Sequence, residues 1–166
     1  MARRAIPSTT YVLCVVRRGA HYLLVQERKH GQTWFLPSGG VEAGESFFDA
    51  ARRETLEEAG VPIDPQGVLG CDHTWIPGPG GLAIKLRVVL LCAPRADVAP
   101  KQVPDRHTLG ARWVTPAEAR ALPLRAAEVV RWIEHVDQGG LVMPLRAFES
   151  TSLSTERDAL VHSLRD

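Results

Sequence analysis

Between residues 31 and 44 the chain carries four glycines and Pro37. No regular helix survives that density of residues lacking either a Cβ or an amide hydrogen, so the stretch must be a shaped loop. A helix begins directly at its end. Ser46 supplies an N-cap with Asp49 three residues on as the acidic half of a capping box, and Gly60 with Pro62 supplies the stop. The rest of the chain has to be built around that loop and helix. Upstream, residues 11–17 and 22–27 are β-prone runs separated by the hairpin turn Arg18-Gly19-Ala20-His21. Downstream, residues 68–76 and 82–91 read as strands flanking the turn Pro77-Gly78-Pro79-Gly80-Gly81, and residues 111–114 as a fifth strand. Thr115-Pro116-Ala117-Glu118 starts a second helix with proline at its first position. Residues 124–136 place apolar side chains at 126, 129, 130, 133 and 136, the spacing of an amphipathic helix that Gly139-Gly140 ends. The expected class is α/β in its α+β form.

Composition narrows the function classes. At 166 residues the chain is one domain's worth, and 45% hydrophobic with 23% charged residues is ordinary for a globular protein rather than a disordered or fibrous one. A net charge of +1 gives no basic field to hold nucleic acid. Cys14, Cys71 and Cys92 are odd in number, lack CxxC spacing and sit within apolar runs, which suggests reduced, buried thiols rather than disulfides or zinc. The longest apolar stretch, residues 82–93, contains Lys85 and Arg87 and is too short to cross a bilayer, so no membrane contact and a cytoplasmic location are expected. Residues 1–140 form the expected domain. Residues 141–166 form an extension whose Leu160, Val161 and Leu164 suit either a docking helix or a flexible tail.

Negative charge is concentrated in residues 39–61, which are net −4 against +5 for the remainder. At 100° per residue Glu54, Glu57 and Glu58 fall on one arc of the helix, with Phe48, Thr55, Leu56 and Ala59 on the other, core-facing side. Like charges at that spacing repel by a few tenths of a kcal/mol per pair, a cost that a bound cation removes, and hard oxygen ligands favour Mg²⁺ or Mn²⁺. An acidic face alone is most often a solvated one. Here it belongs to a longer pattern. Gly39, Glu45, Arg53, Glu54, Glu57, Glu58 and Gly60 fit G-x5-E-x7-R-E-U-x-E-E-x-G-U, with U apolar, which chance produces on the order of once in 10⁸ windows.

That pattern, preceded by Trp34-Phe35-Leu36-Pro37, resembles the box of the Nudix hydrolase family, with Thr55 mildly polar where the family is apolar and Ser38 where most members carry Gly or Ala. The resemblance implies a mixed β-sheet sandwiched between α-helices. It also implies hydrolysis of a phosphoanhydride bond in a nucleoside diphosphate derivative, dependent on Mg²⁺ or Mn²⁺. Carried over by position, Glu54, Glu57 and Glu58 are metal-binding carboxylates and Gly39 lends a backbone carbonyl. Glu54 and Glu57 are candidate bases, beside the loop residues Asp105 and His107. Arg53 ties loop to helix through Glu45 or Glu57, and Arg28 resembles a phosphate-facing basic residue. Trp75, beside the Pro/Gly turn, is nominated for base contact. The Leu36-Pro37-Ser38-Gly39 approach and Leu122-Pro123-Leu124-Arg125-Ala126 look similar to the branch acting on oxidised, 8-oxoguanine nucleoside diphosphates. Nucleotide sugars and dinucleoside polyphosphates are alternative substrates, and a non-catalytic nucleotide sensor is the alternative from another class. Isoprenoid diphosphate isomerisation would need a catalytic cysteine in a different setting. The expected partner is a small-molecule nucleotide, and the expected assembly a homodimer.

Overall fold

The computed structural model describes residues 5–148. Its strands are β1 (Ser8–Arg18), β2 (His21–Glu27), β3 (Trp34–Phe35), β4 (Ser38–Gly40), β5 (Ile63–Gly78), β6 (Gly81–Pro94) and β7 (Thr108–Val114). Its helices are α1 (Phe47–Ala59), α2 (Pro116–Ala121) and α3 (Glu128–Asp137). The strands join in the order β3-β2-β1-β6-β5, with β4 on β1 and β7 on β2. β1 and β6 run parallel and the other pairs antiparallel, so the sheet is mixed.

Period-two alternation along β1 divides the core. Val12, Cys14 and Val16 pack with Ala50, Ala51 and Ala59 of α1, whereas Leu13 and Val15 pack with Val129, Ile133 and Val136 of α3. The sheet is thereby sandwiched between helices, as the family pattern implies. Small residues on α1 let its backbone come close to the sheet, and the Cys14 thiol lies 3.9 Å from the Ala51 carbonyl oxygen. No helix among the described residues is long and apolar enough to cross a membrane.

The structure corrects several expectations. Two short strands, β3 and β4, lie inside the glycine-rich stretch, because β1 offers an edge to which residues 38–40 bond. β5 begins at Ile63 rather than at residue 68; bulges at Pro65/Gly67 and Val68/Gly70 absorb residues that read locally as loop, as an edge strand allows. Leu124 is drawn into a bridge with Trp34, so α3 starts four residues later than the apolar spacing indicates. Leu56, expected on the core-facing side, is 53% exposed, whereas Thr55 and Ala59 are buried as expected. Cys71 is exposed, unlike Cys14 and Cys92. Beyond α3 the chain returns to the sheet, where Met143 and Val68 exchange two backbone hydrogen bonds of 2.8 Å and Leu145 and Phe148 pack on the α1 side of the core. The apolar pattern at Leu160, Val161 and Leu164 lies outside the described residues.

Candidate active site

The box helix is held at both ends. Ser46 Oγ accepts from the Asp49 backbone N–H at 3.1 Å. The Asp49 carboxylate is too short to reach back to the cap backbone and accepts the Ser46 hydroxyl instead, at 2.7 Å. At the other end Gly60 takes the left-handed conformation that closes the last turn (φ 70°). Lys101 Nζ donates to the Glu57 carbonyl at 2.6 Å and Thr108 Oγ1 to the Glu58 carbonyl at 2.6 Å. Cationic and hydroxyl donors at a helix C-terminus satisfy carbonyls that have no partner within the helix. The 101–108 loop therefore fixes the turn that carries Glu57 and Glu58. Neither Lys101 nor Thr108 stands out in the sequence.

Arg53 ties the loop to this helix. Its Nε and one Nη donate to both oxygens of Glu45 at 2.8 and 2.9 Å. The guanidinium also donates to the Gly40 carbonyl at 2.8 Å and to Glu54 Oε1 at 2.7 Å, and lies 3.6 Å from Glu57. Bidentate pairing of this kind is specific to a guanidinium. The hydrogen bond from Arg53 holds the Glu45 carboxyl below its usual range, and the same bond raises the Arg53 pKa further.

Glu54 and Glu58 are recessed rather than standing on an exposed face. The Glu54 side chain is only 12% exposed, and burial raises its pKa against the opposing pull of Arg53. A Cβ at Gly39 would overlap the Glu54 carboxylate, so only glycine leaves room for it. Glu58 accepts the Ser38 backbone N–H at 2.9 Å. Burial pushes its pKa up to about 8, with the charges of Glu54 and Glu27 acting in the same direction. No Lys, Arg or His lies within ion-pair distance of Glu58 among the described residues.

Glu58, Ser38 and Gly39 line a cavity of about 300 Å³. Its remaining charged walls are Glu27, Lys85, Arg87, Arg125 and Glu128, none of them a site residue expected from the sequence. The signal was present, because Lys85 and Arg87 interrupt the apolar 82–93 run at alternate positions, which on a strand puts both charges on one face. The other expected residues lie off the cavity. Trp75 pairs with Ile84 whereas Thr74 pairs with Lys85, so its indole projects from the opposite face of the β5–β6 ribbon. Arg28 follows β2, is exposed, and donates Nε to the Asp105 carbonyl at 2.7 Å. Asp105 is engaged by Lys101 and by the Thr108 and His107 backbone N–H groups, and Lys101 foremost lowers its pKa. His107 Nε2 accepts from Arg106.

Comparison with known proteins decides the family. The chain matches the NUDIX domain profile over residues 7–133. It belongs to the Nudix family. It is 32% identical over 115 residues to the human 8-oxo-dGDP phosphatase NUDT18, covering 68% of this chain and 33% of that protein. The chain thus spans about a third of the length of that relative and of its mouse counterpart. It is 31% identical over 130 residues to the phosphatase NudJ of Escherichia coli O1:K1, covering 77% of this chain and 82% of that one. A Nudix hydrolase from Nitrosomonas europaea, 28% identical, superposes with a TM-score of 0.72 over 89% of this chain and 99% of its own.

Nudix enzymes generally use divalent metal, and the residues present fit one. The donors are carboxylate oxygens suited to a hard cation, one is a recessed carboxylate with no cation within ion-pair distance among the described residues, and Gly39 leaves the space beside Glu54 clear of a side chain. Among the described residues no three acidic, histidine or cysteine side chains converge on one point. Arg53, bonded to Glu54 and 3.6 Å from Glu57, supplies the positive charge beside these two carboxylates.

Proposed function

We propose that this chain hydrolyses a phosphoanhydride bond of a nucleoside diphosphate derivative, with oxidised guanine nucleotides among its substrates. The observation that carries the reading is the pairing of a complete box, tied together by Arg53, with a cavity onto which Glu58 and Gly39 open. Glu54, Glu57 and Glu58, with the Gly39 carbonyl, would hold Mg²⁺ or Mn²⁺. Such a cation neutralises the diphosphate and acidifies the attacking water.

Each of the chain's own residues then has a task. Arg53 positions Glu54 and the 40–45 loop and does not touch substrate. Glu54 and Glu57 are the carboxylates open to taking the water's proton, since Asp105 and His107 are committed to hydrogen bonds within their loop. Burial already favours a proton on Glu54, the property a general base needs. Arg28, exposed after β2 and bonded to the Asp105 carbonyl, keeps its proposed role as a phosphate contact outside the cavity. A cavity of about 300 Å³ lies at the small end for ligand sites and suits one nucleotide better than a dinucleoside polyphosphate. The proposed compartment is the cytoplasm, where nucleotide pools occur.

A panel of nucleoside di- and triphosphates, oxidised nucleotides, dinucleoside polyphosphates and ADP-sugars, assayed for released phosphate or monophosphate, tests this. Turnover of nucleoside diphosphates that EDTA stops and Mg²⁺ restores is expected. Turnover that survives exhaustive chelation, or none with any diphosphate, overturns the proposal.

A further inference from the structure

The cavity wall away from the box carries three cations, and two of them are already engaged. Arg87 donates Nε and Nη2 to Asp72 at 3.2 and 2.7 Å and Nη1 to Glu128 at 2.8 Å. Arg125 donates to Glu27 at 2.7 Å and lies over the Phe35 ring. Lys85 differs. Among the described residues its ammonium has no carboxylate within ion-pair distance and no hydrogen-bond acceptor, and it stands 4.3 Å from the centre of the Tyr11 ring. Burial, reinforced by the charges of Arg125 and Arg87, works against its protonated form. A half-buried donor that faces a cavity without an acceptor is suited to one brought in by a ligand.

Its position indicates which part of a ligand that is. β1 lies between β4 and β6, with Gly39 opposite Val12 on one side and Lys85 opposite Thr9 on the other. Two strand spacings and three residues along the strand, roughly 10 Å each, separate the Lys85 backbone from the box glycine by roughly 14 Å. A nucleotide with its phosphates at Gly39 and Glu58 spans that distance with its base. With Arg87 spent on Asp72 and Glu128 and Arg125 spent on Glu27, that end offers an arriving group the donor of Lys85, which matches one neutral keto oxygen better than a phosphate that calls for several donors.

We propose that Lys85 determines specificity by donating a hydrogen bond to an exocyclic keto oxygen of a purine base, so that guanine-type nucleoside diphosphates, oxidised ones included, are favoured over adenine-type ones. Adenine presents an amino group where guanine presents that oxygen, and two donors cannot pair. The inference rests on the proposed hydrolysis for its catalytic readout.

The test uses the wild-type chain, Lys85→Met, which keeps an apolar stem over Tyr11, and Lys85→Arg, which restores a donor. kcat/KM is measured for GDP, 8-oxo-dGDP and ADP with Mg²⁺. The Met variant is expected to lose about tenfold on both guanine substrates, chiefly through KM, while ADP changes less than twofold and the Arg variant recovers part of the loss. Equal losses on all three substrates would assign Lys85 to phosphate binding or to the fold, and unchanged values on all three would remove it from the site. Either overturns the inference. Calorimetric binding of GMP and AMP without metal separates this result from failure of the hydrolytic reading. Tighter GMP binding that Lys85→Met abolishes supports the inference even if no diphosphate is cleaved, and equal binding of the two by wild type refutes it.

Discussion

The box behind one side of the cavity and the β6 strand on the other use their charges in opposite ways. On the box side every nitrogen of Arg53 is engaged, by Glu45, Gly40 and Glu54, and the carboxylates it touches are held in place. On the β6 side Lys85 stands over an aromatic ring with no acceptor among the described residues. A charge already satisfied inside the protein sets geometry, whereas one left open is free to read a ligand. On this proposal the box carries the chemistry common to the family, and the β6 wall carries the choice of base.

Substitutions in the box test the first half of that contrast. The largest effect is expected from Glu58→Gln, which removes the recessed carboxylate proposed as a metal ligand while keeping the acceptor for Ser38; phosphate release should fall on the order of a thousandfold with the circular dichroism spectrum unchanged. Next comes Gly39→Ala, whose new methyl group must displace Glu54 and should cost about a hundredfold in kcat, with little change in substrate KM. Arg53→Lys keeps the charge but loses the two-pronged bond to Glu45. Urea unfolding should show a loss of about 2 kcal/mol, and activity should drop roughly tenfold.

A pH dependence of stability completes the series, because two carboxyls of the box are shifted in opposite directions. Glu58 has a folded pKa raised to about 8 from an ordinary value near 4.5. Its contribution to the stability of the metal-free chain is complete below the ordinary value and is lost as pH rises through about 8. Glu45, lowered by Arg53, contributes in the reverse sense: its share is present above the ordinary carboxylate range and disappears in acid. Thermal melts in EDTA from pH 4 to 9 should show the midpoint falling on the alkaline side, and Glu58→Gln should flatten that fall. An alkaline limb identical in the variant would mean that Glu58 is not the group responsible.

What the sequence disclosed follows the same division. The N-cap at Ser46, the stop at Gly60 and the box spacing are local signals, and local physics realises them. The same holds for Thr115, whose capping box with Glu118 forms in full. Features that depend on distant pairing were not legible. Leu124 has the apolar spacing of a helix yet bridges to Trp34, and Pro65 and Gly67 look like loop yet lie in an edge strand. The cavity is a third such case, because Glu27, Lys85 and Arg125 come from separate segments that only the parallel β1–β6 pairing and the turn into α3 bring together. That Trp75 lies on the ribbon face opposite Lys85 was not legible either, because strand register decides direction and a single sequence does not fix register.

The most direct measurement is anomalous scattering from crystals soaked with Mn²⁺ and a non-hydrolysable nucleoside diphosphate. The expected result is a manganese peak bridging the diphosphate and the carboxylates of Glu58 and its neighbours on α1. A diphosphate bound without a peak there, with Glu54 still bonded to Arg53, would contradict the assignment of the box helix as the metal's seat.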